Sequence, residues 1–396
     1  MGSLETKNSI PSVVYIFSIS VFALGLATYV PIGITQFIAE GMGVKSSDVG
    51  TVIAAYALGA TISAPLLTAL TNAWSRKKTL LVAMLFFSVG SFGAAFAFNL
   101  NMMLISRFVT GLGHGVFLAV AASTASKLVG SKQAGTATAI VFGGMTIALA
   151  FGVPFSNWLG RLMDWRWIMA IIGLFGVLGT LGLLFVMKNP LPVAKGYKLE
   201  FKKEFKNIIH PKLLSASLVT VFAYAGSFTV YTYIITTLVQ ETHLIPSQVT
   251  LYIFLFGIFS AVGNLFGGKL TDRLGIDKAN VVIISGIGLM TLGTTFFTGS
   301  LVAMALLVSL LGFFSFASVP ALQNRLIATA HKHTENGHNV ASGLNIAGFN
   351  LAIAGGSIIG GLTIQYIGLI YTGLVGSVLA GLGLLVLLYQ MRITKK

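Results

Sequence analysis

The sequence predicts an all-α membrane protein of twelve transmembrane helices in two six-helix, pseudo-symmetric bundles, and three observations carry the prediction. The 396-residue chain is 55% hydrophobic and only 9% charged, with a mean hydropathy of +0.89. No water-soluble surface of this size carries so much apolar material. Apolar stretches near the ~20 residues that a helix needs to cross the hydrocarbon core follow one another from Val13 to Leu388 with short polar breaks, which describes a helical bundle and not a barrel. Finally, Leu70, Thr71 and Lys78 recur as Leu270, Thr271 and Lys278, at the same place in each half, as a parallel repeat about an axis normal to the membrane requires.

In the first half, residues 1–187, the spans read 13–38, 48–70, 79–99, 101–126, 134–158 and 166–187. The first is followed by many more and lacks a small-residue cleavage site, so it reads as a retained span and not a signal peptide. Lys45 separates it from the second, Arg76-Lys77-Lys78 precedes the third, Lys127 and Lys132 follow the fourth, and Arg161 precedes the sixth. A lysine-rich cytoplasmic linker, 188–212, interrupted by Pro190 and Pro192, joins the halves. Its segment from Leu199 to Phe205 reads either as an amphipathic surface helix or as a flexible tether. In the second half, 213–396, the spans read 213–238, 247–268, 279–299, 301–327, 339–366 and 368–390.

The formal charge of +15 would suggest nucleic acid in a soluble protein, but the basic residues are spread over separate gaps and form no single patch. Nearly all of them fall in even-numbered gaps, so the positive-inside rule predicts that both termini and the linker are cytoplasmic, in a plasma-membrane protein. The balance is topological, and no nucleic-acid partner is expected. Forty-six glycines suit close helix approach in lipid, and the lack of cysteine removes disulfides and thiol ligands. A match to a myristoylation pattern at Met1-Gly2 adds nothing to a chain that already spans many times.

The loop Gly268-Lys269-Leu270-Thr271-Asp272-Arg273-Leu274-Gly275 resembles the signature that the major facilitator superfamily carries after its second and eighth spans. Arg107-Phe108-Val109-Thr110-Gly111 in span four, Gly152-Val153-Pro154 in span five and Trp165-Arg166-Trp167 resemble further signatures of its twelve-span drug:proton antiporter family. Gly113-His114-Gly115 is similar to the arabinose-efflux-like and purine-efflux-like branch. The resemblance implies the major facilitator fold, and export of a small solute driven by proton influx. Two departures lie in the first half. The loop's Asp, Arg and Gly are Asn72, Ala73 and Ser75, so an ionic latch between the halves would rest on Asp272 and Arg273, with Asn72 and Arg76 as the weaker counterparts. Thr28 replaces the carboxylate that many relatives place before an aromatic-Val-Pro segment, here Tyr29-Val30-Pro31.

Every Asp and Glu falls in loops, tails or span ends, which leaves Arg107 and His114 as the ionisable side chains at membrane depth. Seven residues, about two turns and about 10 Å, separate them on one helical stripe. Histidine titrates near neutrality, so His114 is the candidate proton carrier, with Arg107 beside it. Alternatively Arg107 bonds backbone carbonyls at a helix crossing or attracts an anionic solute group, and His114 is a satisfied interior histidine. Substrate contacts are expected from Thr28, Tyr29, Thr35 and Gln36 on span one, His114 on span four, Tyr224, Ser227, Tyr231 and Tyr233 on span seven, and Asn345 and Asn350 on span eleven. Such a lining suits neutral or mildly amphipathic solutes, because no buried carboxylate pairs a cation. Gly152 and Pro154, and the pairs Gly355-Gly356 and Gly360-Gly361, permit bending during gating.

The sequence implies no cofactor and no metal: His331, His333 and His338 sit in a short loop without thiols. No nucleophile, base and orienter gather as a membrane enzyme would need. A small-molecule substrate (drug, sugar or nucleoside-like), protons and the bilayer are the expected partners, and a monomer the expected state. Uniport or proton symport, and more distantly a non-transporting sensor, remain alternatives to proton antiport.

Overall fold

The computed structural model describes residues 10–71, 74–129, 134–187, 209–333 and 337–394. Twelve of its helices are long and apolar enough to cross a bilayer. Spans one to six run Ser12–Gly33, Ser46–Leu67, Arg76–Ala95, Leu100–Val129, Ala139–Leu159 and Trp165–Val186; spans seven to twelve run Pro211–Gln240, Ser247–Leu274, Ile276–Phe296, Leu301–His333, Gly343–Tyr366 and Leu369–Ile393. Every regular element among the described residues is a helix, as backbone in lipid demands when no water is at hand to pair it. The bulk of the linker expected at 188–212, with its segment from Leu199 to Phe205, lies outside the described residues, as do Asn72 and Ala73.

Local chemistry sets the helix starts. Ser75 Oγ accepts from Lys78 N at 3.3 Å, Asp164 Oδ1 from Arg166 N at 2.8 Å and Asn99 Oδ1 from Met102 N at 2.8 Å, each satisfying an orphan amide of a first turn. The two halves repeat these devices. Lys45 N donates to Asp48 Oδ2 at the start of span two, and Ile245 N donates to Gln248 Oε1 at the matching point of span eight, both at 3.2 Å. Span one breaks at Ile34 (φ −119°, ψ 19°) and span seven at Tyr233 (φ −114°, ψ 13°), each resuming as a short helix, Thr35–Met42 and Ile234–Gln240. Gly111 on span four fits against the Tyr56 carbonyl of span two, and Gly312 on span ten fits against the Phe256 carbonyl of span eight. A Cβ at either would collide with that backbone.

Prolines shape three spans. Pro65 lies in a π-helical turn, Ser63–Leu67, and Pro154 follows another, Ala148–Gly152, where the missing N–H lets the ladder widen. Pro31 ends the straight part of span one. One buried apolar cluster fills the first half, around Phe17, Phe87 and Phe117. A second draws Tyr29, Ile53 and Val153 from the first half together with Tyr224, Phe228, Tyr231, Phe256 and Phe316 from the other, so the halves share a core where they meet.

Candidate functional site

The buried polar centre of the first half forms where spans one, two and four cross. Pro31 has no N–H, so the carbonyl of Ala27, four residues earlier, loses its helical donor. Arg107 Nη2 donates to that carbonyl at 2.7 Å, and Arg107 Nε reaches Val52 O of span two at 3.5 Å. The guanidinium lies over the ring of Tyr56, 4.3 Å from its centroid, and the whole residue is 1% exposed. A charge this deep persists because carbonyl dipoles and a π-face replace its water.

Tyr56 is the hinge of the cluster. Its hydroxyl lies 2.6 Å from His114 Nδ1 and 3.1 Å from Leu24 O, and it accepts from Thr28 Oγ1 at 3.3 Å. Thr28 Oγ1 also reaches Leu24 O at 2.8 Å. The His114 ring stands edge-on to Tyr56, 83° between planes. Arg107 and His114, expected on one stripe, thus meet the same tyrosine, one on its face and the other on its hydroxyl. Tyr56 escaped the sequence reading. Its signal there was a tyrosine in the middle of an apolar span, a position where a phenolic O–H must find a partner.

The second half answers with different chemistry. The matching kinks, caps and glycine crossings put Ser227, Phe256 and Ser315 where the first half has Thr28, Tyr56 and His114. Ser227 Oγ bonds Ser315 Oγ directly, and Phe256 stacks on Tyr231 with centroids 3.9 Å apart. The ionisable centre belongs to one half and an aromatic wall to the other.

Between the halves, Tyr29 stands edge-on to Phe316 at 6.1 Å, as does Tyr224 at 6.3 Å, and Tyr224 packs on Phe349 at 4.7 Å and Phe228 at 5.0 Å. The Tyr231 hydroxyl is buried and has no hydrogen-bond partner among the described residues. The other expected contacts are local or peripheral. Thr35 Oγ1 closes the broken turn onto Pro31 O and Ile32 O, each at 3.0 Å; Asn350 Nδ2 bonds Ile346 O of its own helix at 2.8 Å; Asn345 Nδ2 bonds Gln323 on span ten; and Gln36 is half-buried.

At the end opposite the chain termini the halves are clasped. Tyr233 places its hydroxyl 3.1 Å from Ser47 O in the first half and 2.8 Å from Ser357 O in its own, in a socket that Gly50, Gly360 and Gly361 leave open. Thr250 Oγ1 donates to Asn157 Oδ1 at 3.1 Å, and Arg161 Nη2 lies 2.9 Å from each of Thr250 Oγ1 and Asn157 Oδ1. The gating residues expected at the terminal face are arranged differently. Asp272 and Arg273 are exposed, and among the described residues they form no ion pair across the halves. The ion pair found at that face stays within the second half: Arg325 Nε to Asp277 Oδ1 at 3.1 Å, with Arg325 Nη2 donating to Gln390 at 2.7 Å. Arg76 opens span three half-buried, Lys77 Nζ donates to Leu184 O at 2.8 Å, Gly152 accommodates Leu26 of span one, and Pro154 opens the last stretch of span five. Asn72 lies outside the described residues. His333 stacks on His210, centroids 6.0 Å apart; the side chain of His338 lies outside the described residues.

The family model described as the Major Facilitator Superfamily matches residues 16–341 and 216–396. The chain is 32% identical to the inner membrane transport protein YdhP of Escherichia coli (strain K12), over 84% of this chain and 83% of that one. It is 29% identical to a chloramphenicol resistance protein of Streptomyces lividans, over 85% of this chain and 86% of that one. Among solved structures, a bacterial homologue of the human lysosomal transporter Spinster shares the fold, with a TM-score of 0.76 over 96% of both chains at 15% identity.

Proposed function

Because the chain belongs to the Major Facilitator Superfamily and is a multi-pass membrane transporter, we propose that it exports a small, neutral or mildly amphipathic organic solute by proton antiport. Its two six-helix units, 1–187 and 213–396, rock about the site between them, as a monomer with both termini cytoplasmic. The relative named for chloramphenicol resistance supports export of a compact drug-like solute. The aromatic and hydroxyl lining, with every carboxylate in loops, tails or span ends, supports a solute without strong positive charge.

One observation carries the proton step: the hydroxyl of Tyr56 within hydrogen-bond reach of both His114 Nδ1 and Leu24 O. With a neutral imidazole, Tyr56 donates to Nδ1. When the ring takes a proton, Nδ1–H donates to the tyrosine oxygen, and the phenolic proton turns to Leu24 O. The charge state of span four is thereby written onto a backbone carbonyl of span one, about two turns before Pro31. Arg107, fixed on Ala27 O, keeps that stretch of span one against span four in either state. In the conformation seen, the clasp at Tyr233 closes one end, so proton and solute reach the centre from the other.

The test is transport in proteoliposomes with labelled chloramphenicol, sugars and nucleosides as probes. A probe moved faster by an imposed pH gradient, in the direction opposite to the protons, supports antiport. Acceleration in the same direction as protons identifies symport, and indifference to the gradient identifies uniport.

A further inference from the structure

We propose that a groove on the lipid-facing side of the second half binds the headgroup and upper acyl chain of an anionic phospholipid. The groove, about 310 Å³, opens between spans eight, nine and ten near the face that carries the termini. Phe266, Phe313, Phe314 and Val282 form apolar walls, and Lys269 and Arg273 stand at its rim. Phe266, Lys269 and Arg273 recur at helical spacing on one stripe of span eight, the cations one turn apart toward the helix end. Phe266 and Val282 are 52% and 47% exposed.

The stripe faces lipid and not the solute path. Gly257 of span eight abuts Ala150 of the other half, and the nine residues from Gly257 to Phe266 make about two and a half turns, so the two point to opposite faces. The walls are open because small residues bring the helices together beneath them: a Cβ on Gly267 would overlap the Ala317 carbonyl, and Phe314 lies across Gly286 of span nine. Lys269 Nζ sits 5.4 Å from the Phe266 ring, leaving its charge at the rim.

Charge selects the occupant. Among the described residues, two cations and no carboxylate line the groove. Of the two acids nearby, Asp277 at the start of span nine is engaged by Arg325, and Asp272, exposed beside Arg273, does not line the groove. The guanidinium offers a fork that matches phosphate oxygens, the ammonium adds a point charge, and the apolar walls require a hydrocarbon tail below the headgroup. The first half does not repeat the site, since the corresponding positions are Ala69 and Ala73.

The measurement is lipid retention by native mass spectrometry of the full-length protein in mixed micelles, comparing phosphatidylglycerol and phosphatidylcholine with identical acyl chains. The expected preference for phosphatidylglycerol is about thirtyfold, the factor that two cations near a membrane surface supply. Lys269→Gln with Arg273→Gln abolishes the preference, and Val282→Trp, which fills the groove and leaves the cations, weakens it. Lys77→Gln with Lys78→Gln, at the same face of the first half, preserves it. Equal retention of both lipids by the native chain overturns the proposal. So does equal loss in the Lys77/Lys78 control, which indicates diffuse surface charge, or full competition by equimolar glycerol phosphate, which indicates a site for soluble phosphate.

Discussion

Removing one oxygen from Tyr56 separates its two roles. Tyr56→Phe keeps the ring, and with it the contact 4.3 Å below Arg107, but deletes the hydroxyl 2.6 Å from His114 Nδ1. Leu24 O keeps Thr28 Oγ1 at 2.8 Å, so the group left unsatisfied is the imidazole nitrogen. A buried polar group deprived of its partner costs about 1–3 kcal/mol, equivalent to about a 5- to 150-fold bias in any equilibrium that the bond controls. Thermal unfolding in detergent reads the stability part. Export driven by an imposed pH gradient reads the coupling part, which should fall well below the native rate while solute counterflow, which needs no net proton movement, persists. In a cycle with His114→Gln the two losses should overlap, with a non-additive portion of about 0.5–3 kcal/mol. Strict additivity would refute the reasoning, because hydroxyl and imidazole would then act independently.

Two further perturbations test the architecture around that centre. Pro31→Ala restores the amide that proline denies to Ala27 O, so Arg107→Gln should destabilise the protein less in that background than in the native one; an equal cost in both would mean that Arg107 does not serve the orphaned carbonyl. Gly50→Ala places a methyl in the socket of Tyr233 and should bias the chain against closure of that end. The chain has no cysteine, so a Thr236→Cys probe beside the clasp reports this directly: its labelling by an impermeant maleimide rises in the Gly50→Ala background, and unchanged labelling contradicts the role given to the socket.

Span number and order were legible because hydrophobic length and the spacing of basic residues are properties of single segments. Pairing across segments was not. Arg107 stands out on its own span as an ionisable residue at membrane depth, but its partnership with Pro31 shows on neither span alone: it exists because a missing N–H on one helix leaves a carbonyl that another can fill. Tyr56 was hidden for the same reason: mid-span, it differs from its counterpart Phe256 by one oxygen, and only the crossing at Gly111 brings it to His114. The expected latch at Asp272 and Arg273 followed a loop signature, whereas the ion pair at that face draws Arg325 and Asp277 from two spans of one half. Thr35 and Asn350 read as cavity residues from their polar type; each also bonds the preceding turn of its own helix, a local pairing open to a buried hydroxyl or amide that residue type alone does not reveal.

The central claim is that proton drive acts through the imidazole of span four. It is tested most directly by reconstituting the native chain and His114→Gln side by side and measuring solute flux under an imposed pH gradient and in counterflow. The account predicts gradient-accelerated flux in the native protein and its loss in the variant, with counterflow retained in both. Undiminished gradient-driven flux in His114→Gln would contradict it.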